Sequence, residues 1–184
     1  MEQVELNIIA LNKSESSPGH YALVLEELNG KKQIAIIIGS SEAQSIAIHM
    51  ERIQLPRPLT HDIFKASITA LGGTLLNVII YDLVDGTFQA WLILSQQDTP
   101  EMKIDCRASD ALALAIRFNC PVFIYKSIFD LSVLKEMPIP SSSIRGSLLD
   151  YTKEQLEQLL LNVLAKEDYE SASRIRDIIN KKNS

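Results

Sequence analysis

The feature that most restricts the fold is a short segment, Asp110 to Phe118, that is apolar almost all round. Its residues (Asp-Ala-Leu-Ala-Leu-Ala-Ile-Arg-Phe) predict a helix. A helix without a broad polar face is buried, so the rest of the chain must supply elements that cover it. With 46% apolar residues among 184, the chain has enough apolar side chains to bury a sizeable core.

Alternation of polar and apolar residues predicts three strands at the start of the chain. Apolar side chains alternate from Val4 to Ala10, return from Tyr21 to Leu25, and return again from Gln33 to Ile38. Between the second and third segments lies Asn29-Gly30, a dipeptide typical of tight hairpins. The three strands should therefore be antiparallel neighbours.

Helical and strand patterns alternate in the next part of the chain. The predicted elements are a helix from Ala43 to Met50 capped by Ser41, a helix from Thr60 to Leu71, and strands over Thr74 to Asp82, Thr87 to Leu94 and Pro121 to Tyr125. Trp91 alternates with core positions and is expected to give no stacking platform. The fold class predicted is α+β, with a mixed, mainly antiparallel sheet packed with helices.

The composition changes towards the C-terminus. Residues 1–135 form the predicted α+β domain, and residues 136–151, rich in Pro and Ser, read as a linker. Residues 152–182 carry apolar residues at helical spacing and predict a two-helix hairpin.

Charge and composition exclude several classes of protein. The net charge of −5 argues against a broad basic surface for nucleic acid. No apolar run reaches the roughly 18 residues of a membrane span, and the start of the chain lacks the pattern of a signal peptide. Cys106 and Cys120 suggest reduced thiols rather than a disulfide framework. These features predict a cytoplasmic protein, and short edge strands favour a homo-oligomer.

The first polar constellation is Pro56-Arg57-Pro58-Leu59-Thr60-His61-Asp62. The two prolines restrict the backbone around Arg57, whose planar fork suits phosphate or carboxylate. His61 and Asp62 fall in the first turn of a predicted helix, where they could transfer protons or bind a metal. The alternative is structural, with Asp62 offsetting the helix dipole and Arg57 in an ion pair.

The second constellation is Ile104-Asp105-Cys106-Arg107-Ala108-Ser109-Asp110, directly before the apolar helix. Asp105 and Asp110 could hold a hard cation, with Glu42 as a third oxygen ligand. Helix capping and neutralisation by Arg107 explain the same residues equally well. Cys106 would be a nucleophile only if its thiolate were stabilised.

Taken in order, five blocks resemble the bifunctional nuclease (BFN) domain family. They are Ile38 to Ala43, Pro56 to Asp62, Leu71-Gly72, Asp85 to Phe88 and Ile104 to Ala115. The family usually has Ala and Pro where this chain has Cys106 and Ala108. The resemblance covers about residues 1–135.

The C-terminal hairpin resembles the UVR motif of the UvrB and UvrC excision-repair proteins, through Leu156 to Leu164, Glu167 to Glu170, Ala172 and Arg174 to Asp177. This resemblance implies a helical module that binds a protein partner, such as one of excision repair. Ser173 stands where a second Ala is common.

The BFN resemblance implies nuclease activity on DNA, RNA or both. Together with the acidic residues above, it predicts a metal-assisted nuclease that hydrolyses phosphodiester bonds. The residues available for that chemistry are His61, Asp62, Asp105 and Asp110 as catalytic groups, Arg57 and Arg107 for phosphate, and Glu42, Asp105 and Asp110 for Mg²⁺ or Mn²⁺. The alternative is a non-catalytic binding or oligomeric module in DNA repair or the stress response.

Overall fold

A computed structural model describes residues 2–14, 17–30, 32–97, 99–133, 156–157, 160–161 and 169–182. The elements in chain order are β1 (Gln3–Lys13), β2 (His20–Glu27), β3 (Gln33–Gly39), α1 (Ser40–Met50), α2 (Thr60–Ala70), β4 (Gly73–Val84), β5 (Thr87–Gln96), β6 (Met102–Arg107), α3 (Ala108–Phe118), β7 (Val122–Tyr125), α4 (Lys126–Ser132) and α5 (Tyr169–Lys182).

The strands of the described residues form one sheet in the order β3-β2-β1-β7-β4-β5-β6. Strand β7 pairs parallel to β4, and the other neighbours pair antiparallel. This confirms the predicted α+β class with a mixed, mainly antiparallel sheet. The β4–β5 hairpin turns at Asp85 and Gly86, with φ of 49° and 77°, a conformation that Gly and Asp tolerate better than most residues.

One face of the sheet carries the core. Val78 and Ile80 of β4 and Leu92 of β5 lie on this face and pack in the same cluster as Leu112 of α3. Leu112 is fully buried. The apolar helix therefore lies against the sheet, as its sequence requires, and α1 and α2 pack beside it.

Trp91 lies on the opposite face from Leu92, because side chains alternate along a strand. Its ring stacks on that of Tyr81, with centroids 4.0 Å apart and planes 12° apart. The alternation of Trp91 with core positions therefore places it on the sheet's second face, where it stacks on another ring of the chain; that it gives no stacking platform to a ligand stays a prediction.

Two elements were not predicted from the sequence, and two helix starts differ. Strand β6 is an edge strand, exposed along nearly its whole length. Its apolar residues Met102, Ile104 and Cys106 do alternate with charged residues, so the pattern of a strand was present and was overlooked. The short helix α4 was also missed. Helix α1 begins at Ser40 with Gly39 as N-cap, and α2 begins after Leu59, whose N–H donates to the Asp62 carboxylate at 2.8 Å. Neither Ser41 nor Thr60 is the cap.

The C-terminal residues pack against α1 and the segment after it. Their buried members, with Ile48 and Ile53, form a second apolar cluster that includes Leu156, Ala172, Ile175 and Ile179. The predicted linker and the turn of the predicted hairpin lie outside the described residues. None of the described helices has the length and apolar character to cross a bilayer.

The second apolar cluster should stabilise α5. Ile175 is fully buried in it, whereas its neighbour Arg176 is exposed. We expect Ile175→Ala to lower the free energy of opening of α5 by about 2–5 kcal/mol, and Arg176→Ala to change it by about 0.5 kcal/mol or less. Hydrogen exchange of the α5 amides measures both values. Equal effects of the two substitutions would show that α5 does not dock through this face.

Candidate functional site

The starts of three helices meet at one polar cluster. Glu42 lies in the first turn of α1, His61 and Asp62 lie in the first turn of α2, and Asp110 lies in the first turn of α3. Arg107 is the residue directly before α3. The two constellations of the sequence, with Glu42, therefore lie together in the fold.

Arg107 connects the carboxylates of two helices. Its Nε donates to Asp110 Oδ2 at 2.7 Å, and its Nη2 donates to Asp110 Oδ1 at 3.1 Å and to Glu42 Oε1 at 2.9 Å. The hydrogen bond and charge of Asp110 hold the pKa of Arg107 above its ordinary value. The Arg107 side chain is 65% exposed, whereas Glu42 is 15% exposed. The cation is therefore the part of the cluster that solvent reaches most easily.

His61 lies between α1 and α3. Its Nδ1 is 2.9 Å from Ser45 Oγ, and its Nε2 is 3.2 Å from Asp110 Oδ1. An ionised carboxylate only accepts hydrogen bonds, so Nε2 carries the proton that is shared with Asp110. In the neutral ring Nδ1 is then the acceptor, and the Ser45 hydroxyl donates to it.

Arg117, at the far end of α3, forms the buried part of the cluster. Its residue is 4% exposed. It donates to Asp62 Oδ1 at 2.7 Å, to Ser45 Oγ at 2.9 Å, and to the backbone carbonyls of Ser45 and Ala113 at 3.2 and 2.9 Å. Because Arg117 donates to Ser45 Oγ, the hydroxyl proton of Ser45 is left free to point at His61. Arg117 thus orients the imidazole through Ser45.

The Asp62 carboxylate is held at both oxygens. Burial raises its pKa, but the hydrogen bonds from Arg117 and from the Leu59 N–H, together with the Arg117 charge, lower it by more. The net pKa lies below its ordinary value, so folding favours the ionised form. This contribution to stability is present above the ordinary carboxyl pKa and is lost as pH falls through the lowered value.

Ser45, His61 and Asp110 are connected in the order found in serine hydrolases, yet the arrangement does not offer a nucleophile. Ser45 is 5% exposed, and its oxygen accepts a hydrogen bond from Arg117. Cys106 is no better suited. Burial, followed by the charges of Asp110 and Asp105, raises the pKa of its thiol to about 12, so thiolate is scarce at neutral pH.

Two residues predicted for the site lie apart from this cluster. Asp105 accepts a hydrogen bond from the Tyr81 hydroxyl at 2.9 Å, on the opposite sheet face from its neighbour Cys106, which packs against the core. Arg57 is exposed in the segment between α1 and α2. Among the described residues, no hydrogen bond or ion pair joins Arg57 to the cluster.

The carboxylates do not fit a metal site in this arrangement. Glu42 and Asp110 both pair with Arg107, and Asp105 lies on the other face of the sheet. Within the described ranges, no three His, Cys, Asp or Glu side chains are grouped to hold a metal ion. A divalent ion at Glu42, Asp105 and Asp110 therefore stays a prediction that would require rearrangement.

Sequence reasoning did not find Ser45 and Arg117. Ser45 had no signal, because a serine inside a helix is common. Arg117 had one: it is the only charged residue between Ala111 and Phe118, and a charge in an otherwise buried helix requires a partner.

Arg107, directly before α3, and Arg117, in its last turn, should differ sharply in their contribution to stability. We expect Arg117→Met to lower the free energy of unfolding by about 3 kcal/mol, the low end for a broken buried pair because Asp62 is 37% exposed. The exposed Arg107→Met should cost about 1 kcal/mol or less. Urea denaturation at pH 7 compares the two variants. A larger loss for Arg107→Met would contradict the assignment of Arg117 as the structural member.

Comparison with known proteins identifies the family of this chain. A family model described as the bifunctional nuclease domain matches residues 23–136, a range that contains every residue of the polar cluster. The chain is also similar to an uncharacterized protein found in two strains of Mycobacterium tuberculosis. Identity is 31% over 173 residues, which cover 93% of this chain and 99% of the relative. This chain belongs to the bifunctional nuclease domain family.

Proposed function

We propose that the chain is a nuclease that hydrolyses phosphodiester bonds of DNA, RNA or both at the cluster of Arg107, Asp110 and His61. The observation that carries the proposal is the exposed Arg107 guanidinium, held beside a partly exposed carboxylate that His61 also contacts. The family supports a nuclease in general, and the assignment of residues is ours.

Arg107 is the proposed phosphate-binding residue. Its planar fork already binds the carboxylate of Asp110 through two nitrogens, and a phosphate presents similar oxygens. No side chain caps the start of α3, so backbone N–H groups there favour the same anion. A bound phosphate would take Arg107 from Glu42 and Asp110 and free their oxygens.

Asp110 is the proposed general base. Once Arg107 binds the phosphate, Asp110 accepts a proton from water as the water oxygen attacks phosphorus. The bond from phosphorus to the leaving oxygen breaks, and that oxygen takes a proton from solvent. His61 keeps Asp110 in position through Nε2–H, since its other nitrogen faces the buried Ser45.

Asp62 has a supporting role in this proposal, because both of its oxygens are engaged by Arg117 and Leu59. Arg57, exposed before α2, would contact a phosphate further along the substrate. A contribution from Mg²⁺ or Mn²⁺ remains a prediction, and no step above depends on it.

A non-catalytic binding module is the second candidate, and one observation favours it. Arg107 pairs with both Glu42 and Asp110, so the cluster has internal partners for its charges without a substrate. In that case Arg107 would exchange its partners for an acidic ligand that is bound and released unchanged.

We also propose that residues 152–182 contact a protein partner, as a UVR-type segment would. The stripe of Ala172, Ile175 and Ile179 is covered by α1 in this chain, so it does not provide the contact surface. Leu161, 62% exposed, is the better candidate. A homo-oligomer and a cytoplasmic location also remain predictions.

Cleavage should depend on Arg107 and His61. Arg107→Ala should lower the rate about 100- to 1,000-fold, because a donor to the developing phosphate charge is lost. His61→Ala should lower it about 100-fold, because Asp110 loses the side chain that holds it in position. Arg52→Ala, another exposed arginine, should stay within about threefold of the wild type. Labelled single- and double-stranded DNA and RNA, each with Mg²⁺, Mn²⁺ or EDTA, measure the rates.

Wild-type cleavage that persists in folded Arg107→Ala would place the activity elsewhere or in a contaminant. Binding of nucleic acid without any cleavage would favour the second candidate. The EDTA arm tests the predicted metal directly.

A further inference from the structure

The sheet face opposite the core carries a group of partly exposed aromatic rings. Tyr81 and Trp91 stack in parallel, with centroids 4.0 Å apart. The ring of Tyr125 meets Trp91 edge-on at 6.4 Å. These three residues, which we name the aromatic surface, come from the adjacent strands β4, β5 and β7.

The helices of the described residues do not cover the aromatic surface. Their buried side chains pack in the core cluster or in the second apolar cluster beside α1. Besides the stacked ring of Tyr81, the indole of Trp91 has the ammonium group of Lys103 near it, 4.7 Å from the ring centroid. Lys103 is exposed, and its flexible side chain can leave the ring without any change in the sheet.

We propose that the aromatic surface binds the bases of single-stranded nucleic acid. This inference rests on the proposed function and names the form of its substrate. A base would stack on Trp91 in place of the Lys103 ammonium, and Lys103 would turn to the adjacent phosphate. The exchange is favourable because a base–aromatic stack is worth more than a cation over an exposed ring.

The edge strand β6 connects the aromatic surface to the polar cluster. Every second residue of β6 is charged, namely Lys103, Asp105 and Arg107. Arg107 is the proposed phosphate-binding residue. Lys103 and Arg107 are four positions apart along the strand, about 13 Å at about 3.3 Å per residue. A strand of nucleic acid stacked on Trp91 can therefore continue round the sheet edge to the candidate site.

The charges of β6 fit a nucleic acid better than they fit a second apolar sheet. Two cations, Lys103 and Arg107, flank one carboxylate, Asp105, which accepts a hydrogen bond from Tyr81. The whole chain is acidic, with a net charge of −5, so it has no general basic surface for a nucleic acid. Stacking on aromatic rings supplies affinity that does not depend on such a surface.

Trp91 is the only tryptophan of the chain, so its fluorescence reports on this surface alone. Folded His61→Ala protein, used to slow cleavage, is titrated with single-stranded DNA, single-stranded RNA or a DNA duplex. We expect saturable quenching by the single strands and weak or no quenching by the duplex.

The affinity of a fluorescein-labelled single strand, measured by anisotropy in the same background, tests the residues. Trp91→Leu should weaken binding about 5- to 100-fold, the equivalent of one lost stack. Lys103→Met should weaken it less and reduce its salt dependence, because one phosphate contact is lost. Phe64→Leu, an exposed aromatic on α2, is the matched control and should bind as the parent does.

Unchanged binding in Trp91→Leu would overturn the inference. A Trp91 emission that becomes shielded from solvent as the protein concentration rises would also overturn it, because a second copy of the chain would then occupy the aromatic surface. If the wild type cleaves nucleic acid and Trp91→Leu binds as tightly as the parent, base stacking on the aromatic surface is rejected and the proposed nuclease is kept. If binding depends on Trp91 but the wild type does not cleave, only the proposed nuclease is rejected.

Discussion

The burial of Arg117 is the constraint on which the arrangement of the helices depends. Helix α3 is apolar enough to be buried, and its one arginine is buried with it. An unmatched charge there would be very costly. Asp62 and Ser45 match it, and in doing so they fix the start of α2 and the middle of α1 against α3.

The arrangement of the exposed part of the cluster follows from this buried part. Ser45 receives a hydrogen bond from Arg117 and faces His61, and His61 in turn contacts Asp110 at the opposite end of α3. The network therefore runs from a buried cation to an exposed one, Arg107. At the buried end, Arg117 and Ser45 are shielded from solvent and hydrogen-bonded to each other. The exposed end keeps a cation and a carboxylate within reach of a solvent-borne anion.

Much of this fold follows from the sequence alone. The hairpin strands, the two helices after β3 and the buried helix are encoded by local periodicity and turn residues, and all are present. Strand β6 has the alternation of a strand, with Met102, Ile104 and Cys106 between charged residues, but its position at the sheet edge depends on pairing with β5. The side of the sheet on which Trp91 lies likewise depends on what covers each face.

The site was predictable in outline but not in its contacts. The sequence identified His61, Arg107, Asp110 and Glu42, because polar residues at helix starts are conspicuous. It also grouped Asp105 with Asp110. Strand alternation places Asp105 on the sheet face opposite the core, where it accepts a hydrogen bond from Tyr81. Ser45 became visible only when α1, α2 and α3 were packed together.

The protonation state of the His61 ring in the folded protein tests the central claim most directly. Nitrogen-15 NMR of the imidazole distinguishes a protonated ring nitrogen from a bare one. For the neutral ring, the account predicts a proton on Nε2, facing Asp110, and a bare Nδ1 that accepts from Ser45. A neutral ring with its proton on Nδ1 would contradict the chain of hydrogen bonds from Arg117 to Asp110.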